Sequence, residues 1–432
     1  MLHTLGGVWK AKDLRKRLLF TLMILAIYRI GVVIPVPGVN ATMLQGLAAK
    51  NAFVGLLNTF SGGALTKFSI MSMSIYPYVT ASIIVQLLSM GVIRRWEEWT
   101  KEGEQGQAKI TQWTRYLTVG LGLLQSAALT FSFSRELGNG FITDPSLITF
   151  IIIGLTLTAG TTFLMWLGEQ ITDKGVGNGV SVIIFVSILS QLEQIIPVVY
   201  SNIFVAHPNS LLLNIIKVAI ILVAIIAMII FIIFVQQGVR KIPVQYTAKQ
   251  LGNAMYGAQN SHLPIKVNAA GMIPVIFASS LLFLPTIIGQ FFPGNPVADW
   301  VTTTFSPTSW VYAALEFLLI VAFTFFYTFV QLNPSQLAEQ LQKNSGYITG
   351  VRPGKPTEEY LVRVMNRLSL VSGVFLGLVA VLPLAFVWMT GLTGVSYYFS
   401  GTSLLIVIGV ALDTLRQLEG QRLNRSYKGF IR

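Results

Sequence analysis

The chain has 432 residues, 53% of them hydrophobic and only 11% charged, with a mean hydropathy of +0.67, which excludes an ordinary soluble globular protein and points to a polytopic membrane protein. It contains no cysteine, so disulfides, thiolate nucleophiles and cysteine metal ligands are excluded, and its three histidines (His3, His207, His262) are too scattered to suggest a metal site. The net charge of +13 fits either nucleic-acid binding or membrane orientation, and its distribution decides between them.

The N-terminal stretch "MLHTLGGVWKAKDLRKRLLF" is basic and amphipathic, and it leads into apolar sequence ending at "IPVPG" without a small-residue cleavage motif, as a retained first span would. A hydrocarbon core of about 30 Å needs roughly 20 apolar residues per helix. Ten segments qualify, at about 18–36, 70–91, 114–134, 147–170, 179–200, 211–236, 268–290, 310–332, 368–388 and 398–418. Just before the second lies "NTFSGGALTKFS" (58–69), opened by a Gly pair and too short and polar to span.

The basic residues fall on alternate loops. The N-tail, the loop after span 2, Lys174 after span 4, the loops after spans 6 and 8 and the C-tail hold all but five of the 30, the exceptions being Arg29, Lys50, Lys67, Arg135 and Lys217. By the positive-inside rule both termini are cytoplasmic. The loops at 237–267 and 333–367 are long, basic and punctuated by Pro and Gly, large enough for a partner to touch. Ten spans divide into five and five, 1–200 and 201–432. Halves with an odd number of spans lie oppositely oriented, the arrangement of inverted-repeat proteins.

Several chemistries find no support. Ion-coupled transport needs an ionisable group near mid-membrane, whereas Glu193, Lys217, Glu316 and Asp413 lie toward the ends of their spans. Only Arg29 is well inside one, as a snorkelling or paired arginine or as a gating group. "DKGVGNGVS" (173–181) has no preceding strand and no closing Lys-Ser/Thr pair, so it reads as a tight Gly-rich turn between two spans rather than a nucleotide loop. No Ser, His and acid set suggests hydrolysis, so no enzyme and no cofactor is expected. Spans 4, 5, 7 and 10 are rich in Gly, hydroxyl and amide residues, which suits close helix packing or a wet interior.

The motifs "IPVPG", "FSGGAL", "PYVTASIIVQLL", "KEGEQGQAKITQWTRY", "MWLGEQITDKGVGNG", "HLPIKVNAAGMIPVIFAS" and "RPGKPTEEYL", in that order, resemble the bacterial SecY family, the channel subunits of the Sec protein-conducting translocon. The resemblance runs from about residue 5 to the C-terminus. It implies an all-α membrane protein, a clamshell of two inverted five-helix halves that passes unfolded secretory polypeptide through its centre. Signal sequences and membrane helices would leave through a lateral gate, spans 2 and 3 on one side and 7 and 8 on the other.

The same resemblance implies a plug at about Asn58–Ser69 containing Phe60, Ser61, Gly62, Gly63, Ala64 and Leu65, with span 2 starting near Met71. It implies a pore ring of Val79, Ile83, Val180, Ile184, Ile276 and Ile406, in which 79/83 and 180/184 are i,i+4 pairs on one helix face. An apolar collar of this kind dewets and blocks ions, yet can part around any sequence. Ser82, Gln86, Ser279 and Ser280 would edge the gate, although Met272 and Ile273 are apolar where family members often carry a polar residue. Arg240, Lys241, Lys249, Arg352, Pro353 and Gly354 would meet the SecA motor ATPase and the ribosome. The implied partners are SecE, SecG, SecA, the ribosome, unfolded preprotein with its signal sequence, and lipid, at the bacterial plasma membrane. A small-solute transporter would need a coupling carboxylate, and a pure insertase would need neither ring nor plug.

Overall fold

A computed structural model describes residues 11–44, 52–89, 93–138, 140–200, 211–246, 249–251, 254–256, 260–290, 292, 295–306, 309–390 and 401–428. His3, Lys10, Lys50 and His207 lie outside them. In chain order the elements are α1 (Lys12–Gly31), a 3-10 turn (Ala41–Leu44), α2 (Ala52–Phe60), α3 (Tyr76–Leu88), α4 (Arg94–Lys101), α5 (Glu104–Leu137), α6 (Leu147–Lys174), α7 (Gly179–Tyr200) and α8 (Leu211–Gln237). There follow β1 (Val239–Tyr246), β2 (Lys249–Leu251), β3 (Ala254–Tyr256), β4 (Asn260–Lys266), α9 (Ile273–Gln290), α10 (Pro296–Thr304), α11 (Trp310–Leu332), α12 (Pro334–Lys343), β5 (Gly346–Ile348), α13 (Lys355–Thr390) and α14 (Gly401–Lys428).

Each of the ten expected spans falls on a helix: α1, α3, α5 to α9, α11, α13 and α14. Among the described residues six helical stretches are long and apolar enough to cross a membrane, and α3, α7 and α9 carry shorter apolar runs. Leu147, Ile148, Ile151 and Leu155 on α6, and Ile220, Val223, Ile226, Ile230 and Phe234 on α8, are large apolar side chains left exposed, as lipid contact requires.

Two expectations change. Span 2 does not become helical near Met71 but at Tyr76, where Pro77 occupies the first turn, which needs no backbone donor. Residues 61–75 instead form successive turns, with positive φ at Gly62, Gly63, Phe68 and Ser74. The loops at 237–267 and 333–367 carry a small sheet that the hydropathy pattern did not announce, because the strands are short and only two side chains of β1, Ile242 and Val244, point inward.

By packing the chain forms two compact units, one of Met1–Asn214, Ser279–Ala313 and Pro383–Arg432, the other of Ile215–Ala278 and Ala314–Leu382. In the first, Val36, Leu65, Phe68, Phe133, Phe141, Leu157, Phe283 and Ile287 belong to one buried cluster. The 173–181 turn is tied on several sides: Val176 N donates to Thr21 Oγ1 on α1 (3.1 Å), Gly177 N to Gln417 Oε1 on α14 (2.7 Å) and Gly179 N to Thr172 Oγ1 on α6 (2.9 Å). These side chains satisfy amides that a tight turn leaves without backbone partners.

In the second unit the sheet order is β4-β1-β5, all antiparallel, with β1 running from Val239↔Lys266 to Gln245↔Asn260 against β4 and from Val244↔Ile348 to Tyr246↔Gly346 against β5. Pro243 lies where β1 has a neighbour on one side only, so its missing N–H costs no ladder bond. Ile242, Val244, Ile265, Ala338, Leu341, Ile348 and Leu361 close a separate core beneath the sheet.

Candidate functional site

The segment from Asn58 to Ser74 is folded on itself by its own polar side chains. Gly63 N donates to Asn58 O (3.0 Å), Thr66 N to Asn58 Oδ1 (3.1 Å), Leu65 N to Ser61 Oγ (3.2 Å), Ser72 Oγ to Ala64 O (3.0 Å) and Ser74 Oγ to Phe60 O (2.9 Å). This is why the stretch alternates Ser with apolar residues: the hydroxyls replace helical bonds that the turns cannot make. Ser61, Ala64, Leu65 and Phe68 are buried, and Lys67 is exposed.

Three groups of contacts hold the segment to the rest of its unit. Val36 N donates to Phe68 O (2.9 Å) and Ile70 N to Ile34 O (3.0 Å), joining it to the chain after α1. Phe68 packs edge-on against Phe141 and Phe133, with ring centroids 5.3 and 6.2 Å away. Tyr28 Oη donates to Ser61 O (3.1 Å), and Arg29 Nη1 to Gly62 O (3.2 Å). Arg29, the ionisable group set well inside span 1, thus has a partner in the segment preceding span 2.

A cavity of about 30 Å³ adjoins the segment, lined among others by Phe60, Leu65, Ser72, Ser74, Tyr76 and Gln125. Gln125 of α5 is 3% exposed, and neither end of its amide has a protein partner among the described residues. The space and the unpartnered Gln125 amide suit one water molecule. Tyr76 crosses from α3 to α9, donating to Ser280 O (2.9 Å) and lying edge-on to Phe283 at 5.4 Å. Ser280 therefore meets α3 through its backbone carbonyl.

Of the ring candidates, Val79 and Ile83 on α3, Ile184 on α7 and Ile406 on α14 are buried, while Val180 is half-buried beside Gly168 of α6. Those five belong to the first unit, and Ile276, half-buried, to the second. Among the gate candidates Ser279 and Ser280 are buried, and Ser82 and Gln86 are half-buried.

Arg240, Lys241 and the Arg352–Gly354 turn lie on or beside the three-stranded sheet, while β2, which carries Lys249, pairs with β3 in a separate sheet. Arg240 and Lys241 are exposed on β1, and Lys249 is on β2, its side chain outside the described residues. Arg352 and Pro353 are exposed in the turn that follows β5. Gly354, at φ +97°, immediately precedes α13, and Thr357 Oγ1 donates to Arg352 O (2.8 Å). Because β1 pairs with β5, two basic loops far apart in sequence belong to one module.

The family model for SecY matches residues 69–415. The chain belongs to the SecY family. It is 48% identical over its full length to the whole of the protein translocase subunit SecY of Bacillus licheniformis, and 47% identical to that of Bacillus subtilis, again over both full lengths. Its fold matches a solved structure described as "The structure of a protein conducting channel" at a TM-score of 0.64 and 18% identity, covering 94% of this chain and 92% of that one. A structure of Sec61 in a canine ribosome-channel complex matches at 0.60 and 16% identity, with the same coverage. As a SecY protein the chain is a multi-pass, ten-helix membrane channel subunit of a protein translocase, not an enzyme.

Sequence reasoning about this SecY chain missed Tyr28, Phe68, Tyr76, Gln125 and Ser187, and the β1–β5 pairing that unites the loops. Tyr28 beside Arg29 and the hydroxyls of "FVSILSQ" on α7 were the available signals, but polar residues in spans are common packing devices and do not announce their partners.

Proposed function

We propose that this SecY chain is the central subunit of the bacterial plasma-membrane translocon, multi-pass with both termini cytoplasmic. It passes unfolded secretory polypeptides outward and releases signal sequences and membrane helices sideways into lipid. The halves 1–200 and 201–432 are the inverted five-span repeats. Residues 58–69 are the plug, Val79, Ile83, Val180, Ile184, Ile276 and Ile406 form the collar, and Ser82, Gln86, Ser279 and Ser280 edge the lateral gate. SecE and SecG complete the channel.

The observation that carries this reading is the 58–74 segment. It is a knot of internal bonds, which suits a stopper that leaves as one body. The Tyr76–Ser280 contact between α3 and α9 supports a gate border made of weak polar bonds, each worth about 0.6 kcal/mol in membrane helices.

Arg240, Lys241, Lys249 and the Arg352–Gly354 turn form the docking face for SecA or the ribosome. The joining of their loops in one sheet supports a single face, and exposed cations there suit RNA phosphates or an acidic motor surface. The energy for transport then comes from these partners.

The test is reconstitution with SecE, SecG and SecA: a secretory precursor should reach the vesicle lumen in the presence of ATP. Absence of transport with all components folded would refute the assignment. Ile406→Asn should produce a resting ion leak, and an unchanged resting conductance would remove Ile406 from the collar.

A further inference from the structure

The contacts around Ser61 and Gly62 contain more acceptors than protons. Tyr28 is wholly buried, and its hydroxyl lies 3.1 Å from Ser61 O and 2.6 Å from Ser187 Oγ of α7. Ser187 Oγ is in turn 2.8 Å from Ile183 O. Each hydroxyl has one proton to donate, so two protons are shared among three contacts. With the segment in place, Tyr28 donates to Ser61 O and Ser187 donates to Tyr28. With the segment gone, Tyr28 turns to Ser187 and Ser187 to Ile183 O.

We infer that Tyr28 and Ser187 are a two-position latch that holds the 58–69 segment shut and leaves no buried donor orphaned when the segment departs. Tyr28 fastens the closed state, and Ser187 stabilises the open one by giving Tyr28 a second acceptor. Arg29 adds a bond to Gly62 O. Gly62 has φ +66°, and a Cβ there would come within 3.1 Å of the Ser187 Cα and the Ser190 Oγ, so only glycine lets the turn approach α7 this closely.

The inference rests on the reading of 58–69 as a plug and positions that plug without touching the transported chain. Its test is the sign of two substitutions. The sequence has no cysteine, so Leu65→Cys, at a position 1% exposed, supplies a single thiol whose modification rate in the resting channel complex reports opening. Tyr28→Phe removes one bond from each state but strands the buried Ser61 carbonyl in the closed state alone, so it should raise that rate and the resting ion conductance about three- to tenfold. Ser187→Ala should lower the thiol rate by a similar factor, because Tyr28 then has no acceptor in the open state. A change of the same sign in both variants, or no change in either, overturns the latch. Should Tyr28→Phe fail to assemble, Ser187→Ala decides alone: an unchanged or raised thiol rate overturns the latch.

The plug reading is tested separately on the Leu65→Cys chain alone. With a secretory precursor trapped part-way through the channel, the buried thiol should be modified faster than at rest. An unchanged rate would refute the plug, and with it the latch. A faster rate combined with same-sign or null results above would refute the latch alone.

Discussion

Replacing Phe68 by alanine tests how far the anchored end of the 58–69 segment moves. Phe68 is wholly buried, with its ring edge-on to Phe141 and Phe133. Its φ is +42°, a strained value that alanine would share, so the substitution isolates the ring from the backbone. Removing a buried phenylalanine costs about 3–5 kcal/mol, which includes the edge-to-face contacts and the cavity left behind. If Phe68 leaves its pocket when the segment departs, that cost falls on the closed state alone. At about 1.4 kcal/mol per factor of ten it shifts the closed-to-open ratio about 100-fold or more. The assay is thiol modification of Leu65→Cys in the resting complex, with and without Phe68→Ala, and the rate should rise by that factor until the open state dominates. A rate within about threefold of the parent, in a protein that has lost thermal stability, would refute the reasoning. Phe68 would then be a fixed anchor in both states.

Three further outcomes follow from the packing. On α6, Gly160→Ala should be strongly destabilising, since a Cβ there would fall 1.8 Å from the Ile70 carbonyl oxygen, whereas Gly154→Ala, meeting Ser126 Oγ at 3.6 Å, should stay within about 1 kcal/mol of the parent in detergent unfolding. Thr21→Val should cost about 1–3 kcal/mol by leaving the Val176 amide unsatisfied, and Thr21→Ser should recover most of it; equal unfolding temperatures for the two would remove the bond from the account. Arg115 and Glu169 form a two-pronged ion pair between α5 and α6 (2.9 and 2.8 Å), but the arginine side chain is 50% exposed. A double-mutant cycle should therefore give no more than about 1 kcal/mol, falling as salt is added.

Much of the architecture was legible because a bilayer imposes simple length and charge rules. Each apolar segment coincides with a helix, although α5 and α13 begin well before their apolar stretches, at Glu104 and Lys355. Those extensions were invisible to hydropathy because a helix outside the hydrocarbon needs no continuous apolar run. On α13 the buried Leu361 serves the loop module instead. The start of span 2 was misplaced by about five residues because the 71–75 stretch is apolar enough to pass for span while its serines fold it into turns. Arg29 was recognisable as unusual, but its partner is a backbone carbonyl, which carries no residue-type signature.

Sequence alone determined that the chain crosses a membrane repeatedly, where the crossings fall, and which loops are basic, because the cost of placing charge and unpaired backbone in hydrocarbon is local and large. Tertiary structure decided that Phe68 closes an aromatic cluster, that β1 joins β5 across about a hundred residues, and that the Tyr28 proton has two acceptors. Those are matters of which surfaces meet after the helices have formed. They depend on distances of a few ångströms between residues remote in sequence, and no periodicity or composition encodes them.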